Sequence, residues 1–413
     1  MIRRNILQGL ILPVSVAALS SKRAEAQTCT APCFPQTPAE QAASPPVVPV
    51  STQYPEGDVF RYMTQAQIND VTSGALAFSV SAALNTAFRV PGITVTLHAG
   101  NYRCDDNLVI GACTEVVGPG WNSTVLRANG ASITNFVTLN DSLNQRLRGF
   151  KILGNSNAGA VGLLVGNTLS SNVHFQDIWI EGFSGSGAVG LWVQNVVTLL
   201  FQNCYINSNA LNVKIDGTSG APTTVQFIGG AIRQSATHGV SIMSGSSIRF
   251  SGTVIEANTN AGIYAVTAAN KIIQDLLIDG NCWFEDNWRG YSSPTTRVYD
   301  VVIDGTAGLP SSNLIISDAR FSHGSSASDN RRSLHVKNAL ASLSNMRCYY
   351  AFPYEIVIEG GPGHGTASNS YVQLIGDSAD RMARFVANLD GANVIYPTYR
   401  SLIDQGNGMS TLP

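Results

Sequence analysis

The sequence predicts a right-handed parallel β-helix, an all-β solenoid in which short strands stack coil upon coil. Three observations predict it: a repeated segment in the middle of the chain, alternating apolar and polar residues inside each repeat, and a low content of charge. Only 13% of the 413 residues are charged and 39 are glycine, whereas about 25% of residues are charged in an ordinary globular protein. Such a composition favours short strands joined by tight turns over a helical protein.

The repeat is clearest in five segments whose starting points lie 23 to 28 residues apart. They read FQDIWIEGF, FQNCYINSN, FIGGAIRQS, FSGTVIEAN and IDGNCWFEDN, and they begin at Phe175, Phe201, Phe227, Phe250 and Ile278. A period of this length with short alternating strands is typical of a solenoid. Coils of a parallel β-helix stack about 4.8 Å apart, and we expect about ten or eleven of them.

The first 26 residues have the layout of an export signal. Arg3 and Arg4 precede an apolar run over residues 6–19, and residues 24–26 (AEA) offer a cleavage site. The paired arginines resemble the twin-arginine consensus. We therefore expect a mature protein that begins after residue 26 and is periplasmic or secreted, and the seven cysteines fit that compartment.

The remaining chain divides into three parts. Residues 27–57 are rich in proline and are predicted to form a flexible leader. Residues 58–375 are predicted to form the β-helix, with a short amphipathic helix over residues 71–88 capping the first coil. Residues 376–413 are expected to be a C-terminal cap or tail, or to hold a homotrimer together.

The cysteine spacing leaves the disulfide pattern open. Cys104 and Cys113 flank an apolar, strand-like segment and lie close enough in sequence to pair. Cys204 and Cys282 stand apart and are expected to be buried, inert thiols. No spacing typical of a zinc site occurs.

Residues 80–88 (VSAALNTAF) are followed by residues 95–102 (VTLHAGNY), and two later coil corners read IEAN at 255–258 and WFEDN at 283–287. On these motifs the chain resembles the pectate-lyase-like β-helix superfamily, particularly its branch of phage tailspikes and exopolysaccharide-degrading proteins. His98 stands where that branch usually has proline. The resemblance implies the fold and a polysaccharide partner. It leaves the reaction open, because the superfamily contains lyases, hydrolases, epimerases and non-catalytic binders.

Candidate catalytic carboxylates follow from stacking the repeats in register. Equivalent positions then form a column on the surface, with Asp286 beside its end: Glu181, Asn207, Arg233, Glu256 and Glu285. Glu256 and Glu285 would lie on neighbouring coils, with Cα atoms about 5 Å apart. Carboxyl groups about 5–5.5 Å apart act as acid and nucleophile in retaining glycosidases.

The two carboxylates are expected to play different roles. Glu285 is the preferred acid, since it lies among Trp283, Phe284 and Trp288, and apolar surroundings favour a protonated carboxyl group. Glu256 is the expected nucleophile or base, with Asp286 as a third catalytic candidate. Arg233 would keep Glu256 ionised and bind a sugar carboxylate. The predicted substrate-binding residues are Arg233, Trp283, Trp288, Tyr291 and His238.

Two other functions remain open. A lyase would use an arginine such as Arg233, Arg249 or Arg289 against a uronate carboxylate, and His238 or a tyrosine as base. Calcium is expected only for that reaction; otherwise we expect no cofactor or metal. In the third interpretation the glutamates of the coil corners face solvent, and the chain is a non-catalytic glycan-binding or structural protein.

Charge and hydropathy exclude other partners. The net charge of −2 excludes a broad electrostatic nucleic-acid footprint. No run of 18 or more apolar residues follows the N-terminus, so no membrane-spanning helix is expected. The motif Gly363-His364-Gly365 is interpreted as a turn.

Overall fold

A computed structural model describes residues 33–359, except for 112, 140–142, 218–219, 292, 294, 306–312, 323–329, 338, 345 and 350–355, and also describes residues 371–372, 385–388 and 402–404. The export signal, Cys29, the Gly-His-Gly motif and most of the C-terminal segment lie outside the described residues.

Short helices cover the first coil of the solenoid. They are α1 (Pro38–Ala42), a 3-10 helix (Val59–Tyr62), α2 (Gln65–Ser73) and α3 (Ser81–Phe88). The single helix expected over residues 71–88 is therefore two helices. Gly74 ends α2 in the left-handed conformation, with φ of 73°, which glycine adopts without strain. In the described part of the chain, no helix has both the length and the apolar character needed to cross a membrane.

Residues 34–57 differ from the flexible leader that their proline content predicted. Val47 is fully buried, and Nε of Arg61 donates to Oε1 of Glu40 at 2.6 Å. The same guanidinium donates to the carbonyl groups of Phe34 and Pro35, each at 2.8 Å. A buried charge needs a partner of opposite charge. The ion pair of Arg61 with Glu40 therefore holds the proline-rich segment against the cap.

The strands are numbered β1 to β31 in chain order. They are Thr94–Thr96, Gly100–Cys104, Leu108–Ile110, Glu115–Val117, Thr124–Ala128, Asn135–Leu139, Arg146–Leu153, Val161–Val165, Ser170–Glu181, Val189–Val193, Val196–Gln202, Tyr205–Asn207, Leu211–Ile215, Thr223–Ile228, Ala231–Arg233, Val240–Ile242, Gly245–Ser251, Val254–Glu256, Ile263–Val266, Ile273–Asp279, Trp283–Glu285, Val298–Asp304, Asn313–Ser317, Arg320–Ser322, Arg331–Lys337, Leu340–Ser344, Arg347–Tyr349, Ile356–Glu359, Tyr371–Val372, Phe385–Asn388 and Leu402–Asp404.

These strands form two parallel sheets. Among the described residues, the second sheet contains twelve strands: β3, β6, β8, β10, β13, β16, β19, β22, β25, β28, β30 and β31. The other 19 strands form the first sheet. The predicted right-handed parallel β-helix is confirmed, and right-handed crossovers between parallel strands are the general rule. The described solenoid has about eight turns, which differs slightly from the ten or eleven coils expected.

Equivalent apolar residues of successive coils stack inside the solenoid. The ring centroids of Phe175 and Phe201 are 4.6 Å apart, those of Phe201 and Phe227 4.8 Å, and those of Phe227 and Phe250 4.9 Å. The repeat alignment made from the sequence is therefore the true register. A shift of the strand register by one residue would turn these rings outward. The inward position of the rings therefore also determines which residues point outward.

A ladder of polar side chains lies inside the turn that follows the predicted column. The amide of Asn258 donates to Oδ1 of Asn287 at 2.8 Å, and its own Oδ1 accepts from the backbone N–H of Ser235 at 3.0 Å. Oδ1 of Asn209 accepts from the N–H of Phe183 in the same way. All of these asparagines are buried, so the ladder satisfies backbone groups that water does not reach.

The cysteines of the solenoid do not form the pair that the sequence allowed. Cys104 and Cys113 are both free and buried, because each occupies its own inward position in the core. Cys204 and Cys282 are also free and buried, as predicted. Burial raises the pKa of the Cys204 thiol to about 12 and that of Cys282 to about 11. Cys33 is disulfide-bonded.

Candidate functional site

The predicted column of polar residues exists on the outer face of the first sheet. The strand register pairs Glu181 with Asn207, Asn207 with Arg233, Arg233 with Glu256, and Glu256 with Glu285. Alternate side chains of a strand point to opposite faces. The inward neighbours of the two glutamates are fully buried, so both carboxylates point outward from adjacent strands.

An open cavity of about 500 Å³ lies over the two glutamates. It is lined by Gln234, Glu256, Ala257, Glu285, Asp286, Arg289, Ser322 and Arg331. Its volume is within the range of about 300–1,000 Å³ that small-molecule sites occupy. All three predicted catalytic carboxylates therefore line one cavity.

Glu256 has the cationic neighbour that the sequence predicted. Nη1 of Arg233 lies 3.5 Å from Oε1 of Glu256, a long contact between two partly exposed side chains. The same guanidinium lies 5.9 Å from the ring centroid of Trp179. Arg233 thus lies between the carboxylate of Glu256 and the ring of Trp179.

Glu285 has different surroundings from those predicted. Phe284 points into the core and is fully buried, whereas Glu285 is exposed. The expected apolar environment is absent because Phe284 alternates with Glu285 across the strand. Oε2 of Glu285 instead accepts a hydrogen bond of 2.9 Å from the indole nitrogen of Trp283, so this tryptophan positions the carboxyl group.

Asp286 is paired with Arg331, which the sequence analysis missed. Nη1 of Arg331 lies 2.5 Å from Oδ1 of Asp286. Arg331 begins a strand of the next coil, 45 residues further along the chain. The only signal in the sequence is the pair of arginines at 331 and 332. The irregular length of that coil hid their position.

None of the five predicted substrate-binding residues is among those that line the cavity. The indole of Trp288 donates to the carbonyl of Tyr299 at 2.7 Å, and Tyr291 packs edge-on against Trp288 with centroids 5.6 Å apart. They secure the loop after the coil corner. His238 stacks on Tyr264 of the second sheet at 4.3 Å, where burial lowers the pKa of His238 to about 4.

A cluster of aromatic rings lies on the same face, several coils nearer the N-terminus. The centroids of Trp121 and Trp179 are 4.6 Å apart, and those of Trp179 and Tyr205 are 5.1 Å apart with planes 18° from parallel. Nζ of Lys151 lies 4.9 Å from the centroid of Trp179. All three rings are half-buried.

Within the residues that the structure describes, no group of three or more His, Cys, Asp and Glu side chains is arranged to hold a metal ion.

Fold and site together define a right-handed parallel β-helix protein with a carboxylate-lined cavity on one outer face. No protein-family model matches the chain, and a search of curated proteins finds no match. Among solved structures the chain is similar to ORF18 of Geobacillus virus E2, at 14% identity over 86% of this chain, with a TM-score of 0.52. At this identity the similarity shows the fold alone. The chain spans 61% of the length of that protein.

Two further matches have lower TM-scores. The Dettilon tailspike protein (gp208) is 15% identical over 83% of this chain and 68% of its own, with a TM-score of 0.46. The catalytic domain of a GH87 α-1,3-glucanase in complex with nigerose is 14% identical over 81% of this chain and 66% of its own, with a TM-score of 0.43.

Proposed function

We propose that this protein is an exported glycoside hydrolase that cleaves a polysaccharide with Glu256 and Glu285 as its catalytic pair. One observation carries the proposal: the two glutamates are partners on adjacent parallel strands and line the same open cavity. Adjacent strands lie about 4.8 Å apart, which is close to the carboxyl separation of about 5–5.5 Å in retaining glycosidases.

Glu256 acts as the nucleophile. Its carboxylate, beside the guanidinium of Arg233, attacks the anomeric carbon of the sugar. The attack forms a glycosyl–enzyme ester and breaks the glycosidic bond. Water then hydrolyses the ester and releases Glu256.

Glu285 acts as the acid and then as the base. It takes part in no ion pair among the described residues, and its Oε2 accepts from the indole of Trp283. The other oxygen carries the proton to the departing glycosidic oxygen, and later removes a proton from the attacking water. Asp286 has a positioning role instead, since its carboxylate is paired with Arg331.

The location of this activity rests on the sequence. The paired Arg3 and Arg4 and the apolar run that follows support export to the periplasm or the medium. A polysaccharide substrate is also found outside the cytoplasm. A homotrimer remains a prediction, which the mass of the protein in solution checks.

The test measures two products from a panel of polysaccharides: new reducing ends, and the ultraviolet absorbance of unsaturated sugars. Glu256→Gln and Glu285→Gln are each expected to lower the rate of reducing-end release by about 10²–10⁴-fold. Glu115→Gln is the matched control. It removes a carboxylate from the same sheet, near the first coil, where Arg148 holds it at 2.8 Å.

The outcomes separate the three functions. Reducing ends that disappear in both variants but persist in Glu115→Gln support hydrolysis. Unsaturated sugars would show elimination and overturn the proposed reaction. Binding of a polysaccharide without either product would make the chain a non-catalytic glycan binder, and full activity in both variants would exclude these glutamates.

A further inference from the structure

The aromatic cluster of Trp121, Trp179 and Tyr205 is held in place by specific contacts. The indole nitrogen of Trp179 donates to Oε2 of Glu181 at 2.6 Å, and Lys151 donates to the other oxygen of that carboxylate at 2.9 Å. The indole edge of Trp179 is thus held by one hydrogen bond, and its ring contacts both Trp121 and Tyr205. A cluster of half-buried aromatic rings on the outer face of a sheet indicates a binding surface.

The cluster is in line with the cavity. Trp179, Tyr205, Ala231, Val254 and Trp283 occupy successive positions of one column. That column runs beside the one that carries Glu256 and Glu285. Tyr205 is two coils from Glu256 and three from Glu285, which corresponds to roughly 10 Å and 14 Å at the strand spacing of parallel sheets. A chain lying along the helix axis across the cavity therefore reaches the cluster.

The next coil toward the cavity carries only a small residue opposite Tyr205. Tyr205 stacks on Trp179 with one face, and the partner of Tyr205 on the next coil is Ala231. A methyl group is too small to cover the other face of a phenol ring. Arg233 lies two residues after Ala231 on the same strand, and its guanidinium is 5.9 Å from the ring centroid of Trp179.

We propose that Tyr205, backed by Trp179 and Trp121, forms a second glycan subsite that binds a sugar residue of the substrate chain away from the point of cleavage. The apolar C–H face of a pyranose ring packs on the tyrosine ring, and Arg233 donates to ring hydroxyl groups at its rim. The inference rests on the proposed function only for the position of the cleaved bond, since binding at Tyr205 needs no catalysis. The ligand is a polysaccharide long enough to span from the cavity to the cluster.

Binding is tested on the full chain carrying Glu285→Gln, by affinity electrophoresis in dextran, polygalacturonate and alginate. Tyr205→Ala is expected to weaken retention by the polymer that retains the parent by about three- to tenfold, the effect of one aromatic contact. Tyr264→Ala is the matched control, because it removes a half-buried tyrosine that stacks on His238 of the other sheet. Unchanged melting temperatures confirm that both variants fold.

A second readout uses oligosaccharides of increasing length with the active enzyme. Tyr205→Ala is expected to raise KM for long chains and to leave kcat and the shortest cleaved substrates unchanged. Binding of a long chain is also expected to change the fluorescence of Trp121 and Trp179.

The subsite is overturned if Tyr205→Ala and Tyr264→Ala are retained alike, if no polymer retains the parent, or if the loss is equal for short and long chains. The outcomes for the two proposals differ. If Tyr205→Ala weakens retention and the protein with both glutamates intact cleaves no polysaccharide, the subsite stands and the hydrolase is excluded. Cleavage that depends on both glutamates but not on Tyr205 does the reverse.

Discussion

Arg61 and Glu40 form an ion pair from which solvent is excluded completely: Nε lies 2.6 Å from Oε1, and both side chains are 0% exposed. Tyr62 donates to the same carboxylate at 3.0 Å. Burial alone would raise the pKa of Glu40, but the hydrogen bonds from Arg61, Thr37 and Tyr62 outweigh it and the pKa is lowered. The pair joins the proline-rich segment to the helical cap.

Glu40→Ala is expected to lower the free energy of unfolding by about 3–5 kcal/mol, because it leaves the guanidinium of Arg61 buried without its partner. Urea unfolding followed by circular dichroism measures the loss. Glu115→Ala is the control, since Glu115 pairs with Arg148 at 2.8 Å on the exposed surface and such pairs contribute about 0–1 kcal/mol. Equal losses in the two variants would contradict a structural role for the buried pair.

The ladder of buried asparagines is expected to stabilise the fold. Asn258→Ala removes an acceptor for the N–H of Ser235 and the donor to Asn287 in a fully buried turn. Each buried polar group left without a partner costs about 1–3 kcal/mol, so a loss of that size or larger is expected in urea unfolding. Asn129→Ala changes an exposed asparagine and is expected to lower the free energy of unfolding by less. A larger loss in Asn129→Ala than in Asn258→Ala would contradict a stabilising role for the ladder.

His238 predicts how stability depends on pH. Its pKa is lowered by burial to about 4 in the folded protein, against about 6.5 in an unfolded chain. Between these values the unfolded chain binds more protons, so stability is complete above about pH 6.5 and falls, by about 3 kcal/mol in total, as the pH drops toward 4. His238→Phe keeps a ring against Tyr264 and is expected to flatten this part of the curve. A slope identical to that of the parent would refute the assignment.

The spacing of the catalytic pair predicts the stereochemistry. Carboxylates on adjacent strands leave no room for a water between nucleophile and sugar, so the first product is expected to keep the anomeric configuration of the substrate. Proton NMR of the reaction within its first minutes distinguishes the two anomers. An inverted first product would mean that Glu256 activates water instead of forming an ester.

Export is tested through the N-terminal arginines. Changing Arg3 and Arg4 to lysine is expected to stop export through the twin-arginine route and to leave the precursor in the cytoplasm, while the parent accumulates outside it without residues 1–26. N-terminal sequencing of each fraction gives the result. Normal export of the double-lysine variant would indicate the general secretory route.

The column of Asn207, Arg233, Glu256 and Glu285 could be predicted from the sequence because the coils repeat at nearly constant length. Periodicity fixes which side chains point outward, and parallel stacking places them side by side. The same reasoning fails in turns. Trp288 adopts a φ of 58°, which ends the alternation and sends its ring toward Tyr299 rather than the cavity.

Two other contacts were not predicted because they join residues that are far apart in the sequence. The pair of Arg61 with Glu40 joins residues 21 positions apart, and no local pattern announces that a proline-rich stretch will be packed. Arg331 reaches Asp286 across a coil of irregular length, whose register the repeat does not determine. A contact that depends on the length of a loop, such as that of Arg331 with Asp286, could not be predicted from the repeat.

The cap also covers the backbone edge of the first coil, where another chain could pair. A stack of parallel strands ends in a row of backbone groups that invites another strand. Here the N–H of Thr96 donates to the carbonyl of Gly57 at 2.7 Å, and Asp58 continues the pairing, so the edge of the first coil is already occupied. We expect a chain without its proline-rich segment to expose that edge to neighbouring chains. The ion pair of Arg61 and Glu40 thereby helps to keep the edge of the first coil covered.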